Sequence, residues 1–131
     1  MTIRLLAALA ATAALLGGCN ETTTRTTTVG KPVLAAVSGN YTFNSCETWE
    51  PPEVSIWTEP KHGKVAHSLY RAPLHLPGNR CDGKLIDYRI SVYIPHPGFR
   101  GQDKFTLKYD SITDDAGGRA TRSRDVIIDV K

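Results

Sequence analysis

The chain has 131 residues, with 16 Lys and Arg against 13 Asp and Glu and a formal charge of +3. That excess is too small to argue for a nucleic-acid surface, and the length leaves room for one small domain with one core. Three cysteines and four histidines bound any thiol or metal chemistry. At the amino terminus, Arg4 provides a short basic region and Leu5 to Leu16 an apolar run. The run is too short to span a bilayer and suits a secretory signal.

The run closes on Leu16, Gly17, Gly18 and Cys19, which resembles the lipobox of bacterial lipoproteins. The resemblance implies a signal peptide over 1–18, a diacylglyceryl group on Cys19, and cleavage and acylation at the new amino terminus. The membrane is then a partner through the anchor on Cys19, and several acyl chains hold where one holds only marginally. An ordinary signal peptide with an incidental Cys is the alternative. In enteric lipoproteins an Asp after the Cys favours the inner membrane. Asn20 therefore points, by resemblance, to the outer membrane on its periplasmic or surface face.

With Cys19 assigned, Cys46 and Cys81 remain as a pair in an oxidising compartment, which favours a disulfide over two buried thiols or half a metal site. Such a bridge closes a loop of about 36 residues and restricts the unfolded chain by roughly 3–4 kcal/mol. Residues 20–32 carry six Thr and almost no apolar side chain, which predicts a flexible tether. Its ends would lie about 20 Å apart. The folded domain is then expected over 33–131.

No stretch of 33–131 sustains a helical period; apolar residues alternate every second position between Pro and Gly. Tyr88, Ile90, Val92 and Ile94 form the expected apolar face of one strand, with Arg89, Ser91 and Tyr93 opposite. Phe105, Leu107 and Tyr109 alternate with Lys104, Thr106 and Lys108, and Val126, Ile128 and Val130 with Asp125, Ile127 and Asp129. Shorter candidates are PVLAAV, YTFNSC, EVSIW and GKVAHSLY. About seven strands predict an all-β, antiparallel two-sheet sandwich. Arg71 to Lys84, with Pro73, Pro77 and Gly78, reads as a long loop pinned at Cys81.

Pro60, His62, Gly63 and Val65, then Tyr93, Pro95, Phe99, Gly101, Asp103, Phe105 and Tyr109, then DDAGG and VIIDV, resemble bacterial Ig-like, cadherin-like repeats. The resemblance implies an Ig-like β-sandwich and a binding or adhesive role. The residues also explain the spacing directly. Pro95 and Pro97 cannot donate to a ladder and stop a strand. Gly98 and Gly101 permit unusual backbone angles, Asp103 is placed to accept from turn N–H groups, and Phe99 plugs the corner.

His62, His67, His75 and His96 lack the paired spacing of a metal site. Asp110, Asp114 and Asp115 cluster near an expected hairpin, yet lack the oxygen-rich run that calcium requires. A solvated turn is the plainer reading. Arg119, Arg122 and Arg124 read as guards of an edge strand, with an anionic glycan or other envelope component as the alternative. Of Trp49 and Trp57, one suits the core and the other an exposed contact. No nucleophile elbow, zinc motif or phosphate loop is present. The sequence thus points to a non-catalytic, envelope-anchored binding or structural module, without cofactor, metal or nucleic acid. A small metal-dependent or hydrolytic periplasmic enzyme is the alternative. If the module binds, the pinned loop is the expected contact, through His75 and Arg80.

Overall fold

The structure, a computed structural model, describes residues 21–112 and 118–131. The expected signal peptide, Cys19, Asn20, Asp114 and Asp115 lie outside the described residues. All regular structure among the described residues is strand. The order is β1 (Glu21–Thr27), β2 (Val33–Ser38), β3 (Asn40–Tyr41), β4 (Thr48–Trp49), β5 (Glu53–Thr58), β6 (Gly63–Pro73), β7 (Leu85–Pro95), β8 (Gly101–Ile112) and β9 (Arg119–Val130). They form a four-stranded sheet β1-β9-β8-β5, a three-stranded sheet β2-β7-β6 and the small pair β3-β4. Every pairing is antiparallel except β1 with β9. Phe105, Leu107, Tyr109, Val126, Ile128 and Val130 of the larger sheet share one core with Ala35, Ala36 and Tyr93 of the smaller.

Among the described residues nine strands stand where the alternation predicts about seven. Of the two additional ones, β4 is a two-residue partner of β3. The other, β1, overturns the tether. Glu21–Thr27 runs parallel to Arg124–Val130, and the Glu21 carboxylate accepts from the Arg124 guanidinium at 2.8 Å. Beyond it, the Lys131 amide donates to the Thr27 carbonyl at 2.9 Å and the Val29 amide to the Lys131 carbonyl at 3.0 Å. The folded unit therefore begins by Glu21, not at 33. Thr is β-branched and suits a strand, and an open β9 edge offers a ladder that needs no apolar side chain.

The second correction concerns β7. Toward the core shared by the two sheets it buries Ser91 and Tyr93, with Pro95 at its end, while Ile94 is exposed and Ile90 and Val92 are only half-buried; Ile86, of that outward phase, is buried separately against Leu74 and Cys81. The inward phase is thus the reverse of the expected one. Tyr93 decides it. Its hydroxyl donates to Asp103 Oδ2 at 2.8 Å and its ring stacks on Phe105 at 5.9 Å, with Ser91 buried in the same phase. On β2, a register shift between Leu34 and Ala36 turns both Ala35 and Ala36 inward.

Asp103 joins three segments. It accepts from the amides of Lys61 (3.0 Å), His62 (2.8 Å) and Lys104 (2.9 Å) besides Tyr93. Only Lys104 belongs to its own corner; the other two amides lie in the β5–β6 connection. His62 stacks on Phe99 at 4.3 Å, and the His96 amide donates to the His62 carbonyl at 2.8 Å. Pro95 closes β7, and Gly98 and Gly101 hold φ of 78° and 122°. A Cβ on Gly63 would meet the Tyr93 ring at 2.4 Å. Pro60 through Val65 and Tyr93 through Tyr109 are therefore two halves of one clasp.

Burial alone would raise the Asp103 pKa. The bonds from Tyr93, His62, Lys61 and Lys104 outweigh it and hold the carboxyl below its ordinary value. Burial first, then the bond to Asp103 and its charge, pushes the Tyr93 phenol well above its usual range. A depressed folded pKa means that the unfolded chain binds the proton more readily. The stabilisation is present above the ordinary aspartate pKa and is lost as pH falls through the folded value. Urea midpoints compared at neutral and at acid pH are expected to fall less in Asp103→Asn than in the parent, from a lower starting point; equal falls would remove Asp103 as the titrating group. Gly63→Ala, read by the same unfolding curves, is expected to cost about 2 kcal/mol through displacement of the Tyr93 ring.

Candidate binding surface

The reversed phase of β7 leaves the outer face of the three-stranded sheet apolar. Leu34 is 44% exposed and Tyr70 58%, and Val37 and Ile94 are exposed with them. Leu34, Val37, Tyr41, Tyr70, Tyr88 and Ile90 line a groove of about 550 Å³, closed on one side by Ala72, Pro73, Leu74, His75 and Leu76. That volume is in the range of small-ligand sites. Desolvation, then the neighbouring Tyr41, raises the Tyr88 phenol pKa, so Tyr88 stays neutral and a hydrogen-bond donor near pH 7.

The wall of the groove is the segment expected to be a long loop pinned at Cys81. Arg71, Ala72 and Pro73 instead complete β6, with Pro73 opposite Leu85. Pro73 is tolerated there because β6 is an edge strand of its sheet. Residues 74–84 fold on themselves. The Leu74 amide donates to Lys84 at 2.8 Å and the Gly83 amide to Leu74 at 2.9 Å. The Leu76 amide donates to Asp82 Oδ1 at 2.7 Å and the Cys81 amide to Asn79 Oδ1 at 2.8 Å. Leu74, Cys81 and Ile86 are buried in a second small core against Tyr41, Cys46, Leu76 and Tyr88. The segment therefore contributes a core of its own, contrary to its Pro-rich composition. The Cys46–Cys81 disulfide is formed, with Cα atoms 5.3 Å apart. Cys46 lies in the turn between β3 and β4, with φ of 57°, and not on a strand.

Of the two expected contact residues, His75 lines the groove and Arg80 is exposed elsewhere on the segment. A second cleft, between the sheet ends, is lined by Glu21, Ser38, Asn40, Tyr109, Arg122 and Arg124, and it shares Val37, Tyr41 and Tyr88 with the groove. Arg119 and Arg122 are exposed; Arg124 is half-buried, bonded to Glu21 and 5.2 Å over the Tyr109 ring. Asp110 accepts from the Thr121 hydroxyl at 2.6 Å.

Neither Trp belongs to a core cluster. Trp57 is 69% exposed on β5 with Lys108 over its ring, and Trp49 is half-buried in a cleft with Arg71 and Asp87. Among the described residues no three His, Cys, Asp or Glu side chains gather as metal ligands. The histidines are dispersed. His62 stacks on Phe99, His75 borders the groove, His96 is exposed, and His67 Nδ1 lies 2.9 Å from the Ser91 hydroxyl. Burial, then the charge of Arg89, lowers the His67 pKa.

The groove residues Leu34, Val37, Tyr70, Tyr88 and Ile90 carry no motif. Their one signal in the sequence is that β7 offers large apolar or aromatic side chains in both phases, of which one core can bury only one set. No protein-family model matches the chain, and no curated relative is found. Among solved structures, the solution structure of Amebosin is similar at 16% identity, over 87% of this chain and all of that one, with a TM-score of 0.40. At that level the likeness carries no argument.

The bridge and the groove wall are one unit. Cys46→Ser with Cys81→Ser is expected to lower unfolding stability by roughly 3–4 kcal/mol and to raise amide exchange across 74–84 more than across β8 and β9. Uniform loss of protection would show that the wall does not depend on the bridge.

Proposed function

We propose that the chain is an envelope-anchored, non-catalytic lipoprotein with a single Ig-like β-sandwich domain, a binding module that seats its ligand in the apolar groove of the three-stranded sheet. The observation that carries the reading is the groove itself, a concave face of Leu, Val, Ile and Tyr side chains whose wall is fixed by a disulfide. An apolar patch of this kind marks an interaction surface, and a rigid wall reduces the entropy lost on binding. Two sheets that share one core, and a clasp built on the positions that resemble the Ig-like repeats, support the fold assignment. The lipobox at Cys19 supports the anchor, and Asn20 supports the outer membrane as its place.

Two measurements separate the parts of this reading. Globomycin is expected to leave an uncleaved membrane-held precursor, and Cys19→Ala to abolish acylation; processing indifferent to the drug would remove the anchor. Leu34→Ser with Tyr70→Ser changes exposed positions and should alter stability by about 0.5 kcal/mol or less. In a chain of residues 20–131, which carries neither signal nor anchor, these changes are expected to weaken binding to isolated envelopes. Binding equal to that of the unsubstituted 20–131 chain would rule out the groove.

A further inference from the structure

We propose that the ligand of this groove is lipid: the outer face of the three-stranded sheet lies on the bilayer that holds the chain's own anchor. The inference rests on the lipoprotein reading above and names the partner of the same site. It starts from reach. Glu21 is fixed in the β1–β9 ladder and by its bond to Arg124. Cys19 precedes it by two residues, at most about 7 Å of chain. The spacer of about 20 Å that the Thr-rich run would give as a free coil is folded into the sheet. An acylated Cys19 therefore brings the surface around Glu21 to the lipid headgroups.

Position comes next. Glu21 lies on the rim of the cleft that shares Val37, Tyr41 and Tyr88 with the groove. The anchor thus leaves the fold beside the apolar face. Because β1 is parallel to β9, the chain before Glu21 leads away from the end of the sheet where Asp103 makes the clasp.

Chemistry distinguishes the two outer faces. On the three-stranded sheet, β6 presents Lys64, Ala66, Ser68, Tyr70 and Ala72, in register with the apolar positions of β7. No carboxylate occupies this face of β2, β6 or β7, and Lys64 is its one charge. The outer face of the four-stranded sheet instead pairs Gln102 with Asp129, Lys104 with Asp125 and Thr106 with Asp125. A solvated face has that composition. Tyrosines and aliphatic side chains with a lone cation suit the membrane interface, where carboxylates are repelled by lipid phosphates.

The test uses the acylated mature chain in vesicles of phosphatidylethanolamine and phosphatidylglycerol containing brominated phosphatidylcholine. Trp49→Phe alone leaves Trp57 as reporter of the opposite face. Trp49→Phe and Trp57→Phe combined with Tyr70→Trp, or with Ile94→Trp as a second placement, report the proposed face. Reporters at 70 and 94 are expected to be quenched severalfold more than Trp57, and Leu34→Glu with Val37→Glu to reduce that quenching while the chain stays with the vesicles. Vesicle-bound chain with equal quenching on both faces overturns the lipid proposal and leaves the anchor reading standing. A chain that mass spectrometry shows to be unacylated overturns both. A photo-crosslinker at Tyr70 that captures, in cells, protein and no phospholipid assigns the groove to a protein partner and overturns the proposal.

Discussion

One buried carboxylate organises this fold. Asp103 accepts from two amides of the β5–β6 connection, from its own neighbour and from the Tyr93 hydroxyl. It therefore ties β6, β7 and β8 at the point where the chain passes between sheets. A buried charge is tolerated only when its acceptor capacity is filled. Here the fourth donor is a phenol whose ring fills the space that a Cβ on Gly63 would take. The glycine, the tyrosine and the aspartate are conditions on one another, and the His62–Phe99 stack closes the corner over them.

The clasp has a consequence at the other surface. Since side chains alternate strictly along a strand, sending Tyr93 inward sends Ile90, Val92 and Ile94 outward. Hydrophobic burial alone would favour the opposite phase. The polar bond wins because an Asp103 stripped of its Tyr93 donor would stay buried and partly unsatisfied, at about 1–3 kcal/mol. Half-exposure of Ile90, Val92 and Ile94 forgoes an amount of the same order, so the bond decides the phase together with the full burial of Tyr93 and its stack on Phe105. The apolar outer face is thus the complement of a stability device. The module keeps a sticky surface because its core is fastened through a polar contact.

Legibility in the sequence follows the same division. Pro60, His62, Gly63, Pro95, Phe99, Gly101, Asp103 and Phe105 were readable because each departs from ordinary strand composition for a local reason. The cysteine pair was readable from number and compartment. What escaped were properties of pairing. A Thr-rich run cannot build a core, and that argument correctly excludes a buried element; it does not exclude an edge strand, whose stability comes from a neighbour's open ladder. The phase of β7 was hidden because both of its faces carry large side chains, and Tyr93 finds its partner ten residues away. The groove follows from that phase and so was hidden with it. Residues 74–84 read as a pinned loop from their Pro and Gly, while Leu74 and Cys81 supplied a small core that composition averages away.

Topology also separates the clasp from the apolar face. The clasp pairs Asp103 with Ile128 in the ladder, toward the end where β9 finishes, whereas Glu21 pairs with Arg124 farther back along the same strand. An antiparallel β1 would have brought the chain's entry point to the clasp. The parallel pairing brings it to the open end, where the sheet ends form a cleft beside the groove. Substitutions that tune the groove therefore act on side chains that the clasp does not use. The ladder between β1 and β9 is the exception, since it holds both the edge of the larger sheet and the direction in which the chain departs.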